Sequence, residues 1–281
     1  MLANEASFAS KLAPAGRITD MAKFERYNHG QFSWVDLMTP DAAAAKEFYG
    51  ALFGWAHVDF PTDQGGVYTQ FKSRDLPVAG LGEMSEEMKA GGMPAFWNSY
   101  ITVDDADTTA ATAEQLGGRV TMPVMQVMTA GRMAFLTDAE GAHFAIWEPG
   151  DHAGAGLVNE PVSFAWNELV TKDIEKAKAF YSALFGWDIN AAEDAPVEYY
   201  GIMNADRING GMIPWMTQMG DIPPNWGVYF SVSDCDASVK RVEELGGRLI
   251  GPPQDIHPGR FAVVADPAGA VFSVMFLRNP D

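Results

Sequence analysis

The chain has 281 residues, one cysteine and a formal net charge of −18. This acidity disfavours nucleic-acid phosphates and anionic membranes as partners, since affinity for both depends on clustered lysine and arginine. Cys235 forms no internal disulfide, and the sequence shows neither a signal-peptide pattern nor an apolar run of about 20 residues, so we expect a cytoplasmic protein that spans no membrane.

The regular pattern begins after residues 1–28, which alternate without a period and indicate a surface arm. Gln31 to Met38 alternates as a strand does, a helix follows, and three short strand candidates then appear between Gly, Pro and Asp. This β-α-β-β-β order returns three more times along the chain. We therefore expect four modules, two in each of two domains.

The helix of the first module occurs twice, in residues 39–55 and 171–187, which share the ending Phe-Tyr-x-x-Leu-Phe-Gly-Trp. Such self-similarity indicates a tandem duplication. The i, i+3, i+4 spacing predicts one buried apolar face for each copy. The residues predicted to cap, begin and end these helices, and to fill the core, are Thr39, Thr171, Pro40, Gly54, Gly186, Phe48, Tyr49, Phe180 and Tyr181.

The predicted domain boundaries follow from this repeat and from composition. The arm covers residues 1–28, and the first domain covers residues 29–149. A linker rich in Gly, Ala and Pro covers residues 150–161, and the second domain covers residues 162–281.

Two turn motifs recur in both domains: Leu-Gly-Gly-Arg at 116–119 and 245–248, and Asp-x-x-Gly at 138–141 and 266–269. With the paired modules and the repeated helix ending, they resemble the vicinal oxygen chelate superfamily of glyoxalase I, bleomycin-resistance proteins and extradiol dioxygenases, and its two-domain Cfp30B-like subgroup. The resemblance implies an α+β fold of tandem glyoxalase-like domains. In each, two βαβββ modules form a curved, cup-shaped mixed sheet with helices on the convex face.

The resemblance also implies four positions for divalent-metal ligands in each cup, because a Lewis-acid metal is held there by imidazole and carboxylate groups. The positions that correspond here are Trp34, Asn98, Ala145, one of residues 79–81, Trp166, Gly227, Ser273 and residues 210 or 211. None of them is His, Gln, Asp or Glu. We therefore expect no metal and no other cofactor.

Alternation with a period of two predicts which side chains line each cup. The first cup is predicted to contain Trp34, Asp36, Asn98, Tyr100, His143 and Trp147. The second is predicted to contain Trp166, Glu168, Tyr229, Ser231, Ser273 and Met275.

Asp36 and Glu168 are the candidate catalytic carboxylates, with His143 as a candidate acid/base partner of Asp36. A carboxyl group among aromatic walls has a raised pKa, which suits proton transfer or the anchoring of a ligand hydroxyl or amine. The remaining residues are candidate ligand contacts, in which Trp34 and Trp166 stack on a planar molecule. The structural alternative is that carboxylates, His143 and indoles only fix the strands and fill the cups.

The favoured function is binding of a small aromatic or apolar molecule in metal-free cups. The protein either sequesters this ligand or acts on it by acid/base chemistry, as a metal-independent lyase or isomerase. The alternatives are a metal-dependent lyase or dioxygenase of the glyoxalase kind and a structural or protein-interaction module. The expected partner is the small molecule, with no nucleic acid or membrane, in a monomer or homodimer.

Overall fold

The computed structural model describes residues 26–63, 65–193, 195, 197–256 and 259–278, so most of the predicted arm lies outside the described residues. The first half contains β1 (Phe32–Thr39), α1 (Ala42–Phe53), β2 (Ala56–Pro61), β3 (Val67–Ser73), β4 (Leu76–Glu83), α2 (Glu86–Ala90), β5 (Phe96–Thr102), α3 (Ala106–Gln115), β6 (Arg119–Val127), β7 (Gly131–Thr137) and β8 (His143–Pro149). The second half contains β9 (Phe164–Thr171), α4 (Ile174–Phe185), β10 (Asp188–Ala191), β11 (Tyr200–Asn204), β12 (Arg207–Pro214), β13 (Asn225–Ser231), α5 (Cys235–Glu244), β14 (Arg248–Ile256), β15 (Gly259–Ala265) and β16 (Val271–Leu277).

The strands form two eight-stranded mixed sheets with the same topology. The first has the order β2-β3-β4-β1-β5-β8-β7-β6, and the second has the order β10-β11-β12-β9-β13-β16-β15-β14. In each sheet the first strands of the two modules pair antiparallel at the centre, β1 with β5 and β9 with β13. The predicted fold class, tandem α+β domains of two βαβββ modules each, is confirmed.

The repeated helices α1 and α4 end as predicted but begin differently. Gly54 and Gly186 have φ values of 70° and 71°, the left-handed conformation that glycine adopts without a steric penalty. The predicted caps Thr39 and Thr171 are wrong, because both residues still belong to strands. Asp41 caps α1 instead, since its carboxylate accepts a hydrogen bond from the Ala44 N–H at 2.9 Å.

The segment between the first two modules, residues 84–94, contains the short helix α2. Ser85 caps α2 by accepting a hydrogen bond from the Met88 N–H at 3.2 Å.

No described helix has the length and apolar character needed to cross a bilayer.

The helix-bearing faces of the two sheets pack into one continuous core that contains residues of both domains. The predicted burial of Phe48, Tyr49, Phe180 and Tyr181 is confirmed, and all four belong to this core. Each repeated tyrosine also reaches a turn of the opposite domain. The Tyr49 hydroxyl donates to Asp266 and the Tyr181 hydroxyl donates to Asp138, each at 3.0 Å.

These aspartates belong to the Asp-x-x-Gly turns, so the repeated helix and the repeated turn together form the domain interface. Burial raises the pKa of both carboxyl groups, and hydrogen bonds from backbone N–H groups of the turn oppose this rise. The opposite faces of the two sheets, which carry no helices, are the concave cups. We call them cup 1 in the first sheet and cup 2 in the second.

The segment predicted as the interdomain linker lies along the first sheet. The Ala155 N–H donates to the Ser33 carbonyl at 2.7 Å, and the Gly156 N–H donates to the Pro77 carbonyl at 2.8 Å. Gly154 has a φ of 130°, and a side chain at this position would meet the Ser33 carbonyl oxygen, so only glycine allows the approach. Tyr27, at the end of the predicted arm, donates to the Ala155 carbonyl at 2.7 Å. The segment therefore has a fixed path across cup 1.

Candidate functional site: two carboxylate cups

Strand register brings the predicted carboxylate and tryptophan of each cup beside the predicted tyrosine. In cup 1, β1 and β5 pair Asp36 with Asn98 and Trp34 with Tyr100. In cup 2, β9 and β13 pair Glu168 with Gly227 and Trp166 with Tyr229. Paired residues in neighbouring strands share a face of the sheet, so each set points into its cup.

Asp36 is enclosed and fully hydrogen-bonded. Only 3% of the residue is exposed, and its carboxylate accepts bonds from Asn98 Nδ2 at 2.9 Å and the Tyr100 hydroxyl at 2.8 Å. A third bond comes from the Tyr68 hydroxyl at 3.4 Å, and that hydroxyl accepts a bond from Trp34 Nε1 at 2.8 Å. Burial raises the pKa of the Asp36 carboxyl, and the three donors oppose the rise.

Glu168 has a related but less complete environment, and it is partly exposed. The Tyr229 hydroxyl donates to Oε1 at 2.7 Å, and a second hydrogen bond comes from Tyr199. The Tyr199 hydroxyl accepts a bond from Trp166 Nε1 at 3.1 Å, as Tyr68 does from Trp34 in cup 1. Burial raises the pKa of the Glu168 carboxyl, and the two tyrosine bonds oppose the rise.

The four tyrosines of the cups remain protonated at neutral pH. Burial, followed by the charge of the neighbouring carboxylate, raises the pKa of each phenol well above its ordinary value of 10. They therefore donate hydrogen bonds to the carboxylates and do not act as general bases. The residues concerned are Tyr68, Tyr100, Tyr199 and Tyr229.

Tyr68 and Tyr199 were missed by the sequence analysis, although their strand segments were predicted. Each phenol lies directly over a glycine, Gly80 on β4 or Gly211 on β12, and any side chain on that glycine would overlap the hydroxyl. Gly80 pairs with Asp36, and Gly211 pairs with Glu168. The recurrence of a tyrosine in or just before the third strand and a glycine in the fourth strand of both domains was the available signal.

The remaining predicted residues of cup 2 are buried at its floor. Ser273 pairs with Tyr229 and bonds its hydroxyl, while Ser231 pairs with Met275. These residues are nearly inaccessible to solvent, so the partly exposed part of cup 2 is formed by Trp166, Glu168, Tyr199, Gly227 and Phe261.

Trp147 lies in cup 1 near His152, a linker residue that the sequence analysis did not select. The His152 ring packs edge-on against Trp34, with 4.6 Å between ring centroids, and lies 5.9 Å from the Trp147 ring. The Trp147 indole N–H donates to the His152 carbonyl oxygen at 2.9 Å. Burial lowers the pKa of His152 to about 4, so its imidazole is neutral at pH 7.

His143 is placed differently from the other candidates. It opens β8 at an exposed position paired with Thr137, and the hydrogen bonds to Asp36 come from other residues. Burial moderately lowers its pKa. It lines a groove of about 450 Å³ together with Arg119, Thr121 and Thr137, and neither Asp36 nor Glu168 lines this groove. The structure therefore does not join His143 to Asp36 as an acid/base pair.

Family comparisons agree with this architecture. Residues 31–146 match the model of the "Glyoxalase/Bleomycin resistance protein/Dioxygenase superfamily", and residues 166–275 match that of the "Glyoxalase-like domain". A protein of Mycobacterium bovis named "Putative glyoxylase CFP32" is 41% identical over 91% of this chain and 98% of its own length. The chain belongs to the glyoxalase/bleomycin resistance protein/dioxygenase superfamily. The predicted resemblance is confirmed.

Other similar proteins have names that state different activities. The anthracycline biosynthesis protein DauV of Streptomyces sp. strain C5 is 36% identical over 90% of this chain and 96% of its own length. The Mn(II)-bound glyoxalase of Novosphingobium aromaticivorans has a TM-score of 0.60 at 16% identity, covering 88% of this chain and 82% of its own. The 2,3-dioxygenase LapB of Pseudomonas sp. KL28 has a TM-score of 0.61 at 12% identity, covering 90% and 95%. These two structures show a shared fold.

A divalent metal is implied by such neighbours, but the side chains of this superfamily member do not fit one. Each cup contains a single carboxylate, and the fourth strand contributes Gly80 or Gly211, over which a phenol lies. Among the described residues there is no group of three or more His, Cys, Asp or Glu side chains that could hold a metal ion. A carboxylate surrounded by phenols offers too few strong ligands for a stable divalent site.

Proposed function

We propose that this superfamily member binds a small aromatic or apolar molecule in a metal-free cup, and that cup 2 is the working site. One observation carries the proposal: Glu168 is a partly exposed residue whose buried carboxyl group has a raised pKa and is held by Tyr229 and Tyr199 beside an indole. A largely apolar concavity with a few directed polar groups is the usual form of a small-molecule site.

Glu168 is the group that handles a proton or anchors the ligand. Its raised pKa brings the carboxyl closer to neutrality, where a general acid or base is most effective. Tyr229 and Tyr199 stay protonated and fix the orientation of the carboxylate through their hydrogen bonds. A ligand hydroxyl or amine beside Glu168 would therefore meet an oriented acceptor.

Cup 1 has the same carboxylate arrangement in a form that supports a structural role. Asp36 accepts hydrogen bonds from three donors within the protein, only 3% of the residue is exposed, and the His152 ring packs edge-on against Trp34. We assign Asp36 to the stability of the first domain and Glu168 to ligand recognition.

The name of one relative supports a flat ligand. This relative is named for anthracycline biosynthesis, and anthracyclines are planar aromatic compounds. The other is named as a glyoxylase. Our proposal covers both sequestration and metal-independent acid/base turnover of such a molecule by a cytoplasmic protein. The donor set of the cups argues against the metal-dependent lyase or dioxygenase alternative.

The test is a titration of the purified protein with a library of aromatic compounds, followed by tryptophan fluorescence and calorimetry. Glu168→Gln keeps the shape of the side chain but removes its charge, so we expect roughly tenfold or greater loss of affinity for ligands with a donor group. Asp36→Asn is the matched control and should leave affinity within about twofold, since Asp36 contacts only protein groups. Failure of the whole library to bind the wild-type protein contradicts the proposal.

A further inference from the structure

The two cups differ in the residue that pairs with the carboxylate on the neighbouring strand. In cup 1, Asn98 stands opposite Asp36, and its side-chain amide donates to the Asp36 carboxylate at 2.9 Å. In cup 2 the residue opposite Glu168 is Gly227. The first carboxylate therefore has an amide donor supplied by its own domain, and the second does not.

The place of that amide is available in cup 2. An added Cβ on Gly227 would meet the Glu168 carbonyl oxygen at 3.6 Å and a Tyr229 ring carbon at 3.9 Å, which are ordinary contacts, and no Glu168 side-chain atom lies within 4 Å. Gly227 is itself partly exposed, as Glu168 is. The longer glutamate side chain has therefore not taken the space at the Cβ position of Gly227.

A carboxylate in a partly buried site gains most from donors on all of its accessible lone pairs, because unmatched lone pairs carry a desolvation cost. The described hydrogen bonds to Glu168 come from Tyr229 and Tyr199, whereas Asp36 receives three. A neutral N–H donor beside Gly227 would give Glu168 three hydrogen bonds, as Asp36 has. Apolar surface lies around the neighbouring Tyr229, which pairs with Trp166 and whose ring lies 5.9 Å from the Phe261 ring.

We propose that cup 2 recognises an aromatic carboxamide, whose N–H group takes the place that the Asn98 amide has in cup 1. This inference rests on the proposed function and specifies its ligand. The carboxamide donates to Glu168, and the ring lies against the partly exposed Trp166. An aromatic carboxylate is rejected, because its charge faces the Glu168 carboxylate.

Benzamide and methyl benzoate are suitable probes, since they share the phenyl ring and carbonyl but only benzamide has N–H donors. Calorimetric titration of the full chain should show benzamide binding at least about tenfold more tightly than methyl benzoate. Benzoate should bind more weakly than benzamide. Equal affinities for benzamide and methyl benzoate, or no binding of benzamide, would overturn the inference.

Gly227→Asn tests the position itself by supplying the amide within the protein. The variant should lose benzamide affinity by at least about tenfold while its melting temperature is unchanged or higher. Gly227→Ala is the control for bulk, because a methyl group adds no donor and should change affinity by less than about threefold. Unchanged benzamide affinity in the folded Asn variant would contradict the proposal.

The Glu168→Gln variant separates this inference from the function on which it rests. If aromatic probes bind equally with or without a donor, and Glu168→Gln weakens both, the proposed function stands and the carboxamide inference fails. If no aromatic compound binds the wild-type protein, both fail. Selective benzamide binding that is lost in Glu168→Gln and in Gly227→Asn supports both.

Discussion

Cup 1 and cup 2 are built from equivalent strand positions, yet the first is closed by its own residues and the second is not. Asp36 has a complete set of donors and the linker residue His152 packs on Trp34. Glu168 has fewer described donors, and Gly227 leaves an open Cβ position opposite it. The two copies of a duplicated domain can thus differ in how many protein donors face the buried carboxylate.

The largest expected difference between the cups concerns their tryptophans. Trp34 is 4% exposed, whereas Trp166 is partly exposed. Trp34→Ala should therefore lower the free energy of unfolding by about 3 to 5 kcal/mol, and Trp166→Ala by about half as much, because the cost follows the buried area and the cavity left behind. Urea denaturation of both variants measures this, and equal losses would contradict the contrast.

Acidification should affect cup 1 through His152. Its pKa of about 4 lies below the ordinary value of 6.5, so the unfolded chain binds this proton more readily than the folded one. The free energy of unfolding therefore has its full value above pH 6.5, where His152 is neutral in both states. It falls by about 2 to 3 kcal/mol in total as the pH drops toward 4.

His152→Asn removes this titration while keeping the backbone carbonyl that Trp147 bonds, so it is the matched reference. Urea unfolding of both proteins between pH 7.5 and 4.5 should show the wild type losing stability relative to the variant. The buried carboxylates have raised pKa values and act in the opposite direction, but they are common to both proteins. A difference that does not vary with pH would argue against a buried neutral His152.

Amide substitutions of the two carboxylates should have smaller and unequal effects on stability. In Asp36→Asn, the new NH2 group replaces either the oxygen that accepts from Asn98 or the oxygen that accepts from Tyr100, so one acceptor is lost and we expect a loss of about 1 to 2 kcal/mol and a fall of a few degrees in Tm. Glu168→Gln should cost less than about 1 kcal/mol, since solvent can reorganise around a partly exposed group. Calorimetric unfolding distinguishes the two, and a larger loss in the second variant would reverse our assignment of roles.

Chelator treatment should have the smallest effect. Because neither cup combines enough metal-binding side chains among the described residues, EDTA should shift Tm by less than about 1 °C and leave aromatic binding unchanged. Elemental analysis that finds about one metal per domain, removable with loss of binding, would contradict this expectation for both cups alike.

Much of the fold was predictable because it depends on local and periodic features. The repeated helix, the glycine ends at Gly54 and Gly186, and the burial of Tyr49 and Tyr181 follow from spacing and left-handed backbone preference. The sequence analysis assigned the helix caps to Thr39 and Thr171, two residues before Asp41 and Asp173, which cap the helices in the structure. A hydroxyl and a carboxylate are both good caps, and the length of the preceding strand decides between them.

The sequence by itself determined the duplication and the placement of Asp36 and Glu168 beside a tryptophan, since a period of two fixes which strand residues share a face. The two curved mixed sheets were expected from the family resemblance. Only the tertiary structure decided what surrounds those carboxylates. Tyr68, on β3, and Tyr199, just before β11, reach them over a glycine, and His152 reaches cup 1 from the linker. His143, on the predicted strand, remains at an exposed position in its own groove. The physical reason is that hydrogen-bond partners and burial depend on contacts between distant segments, which no local period encodes.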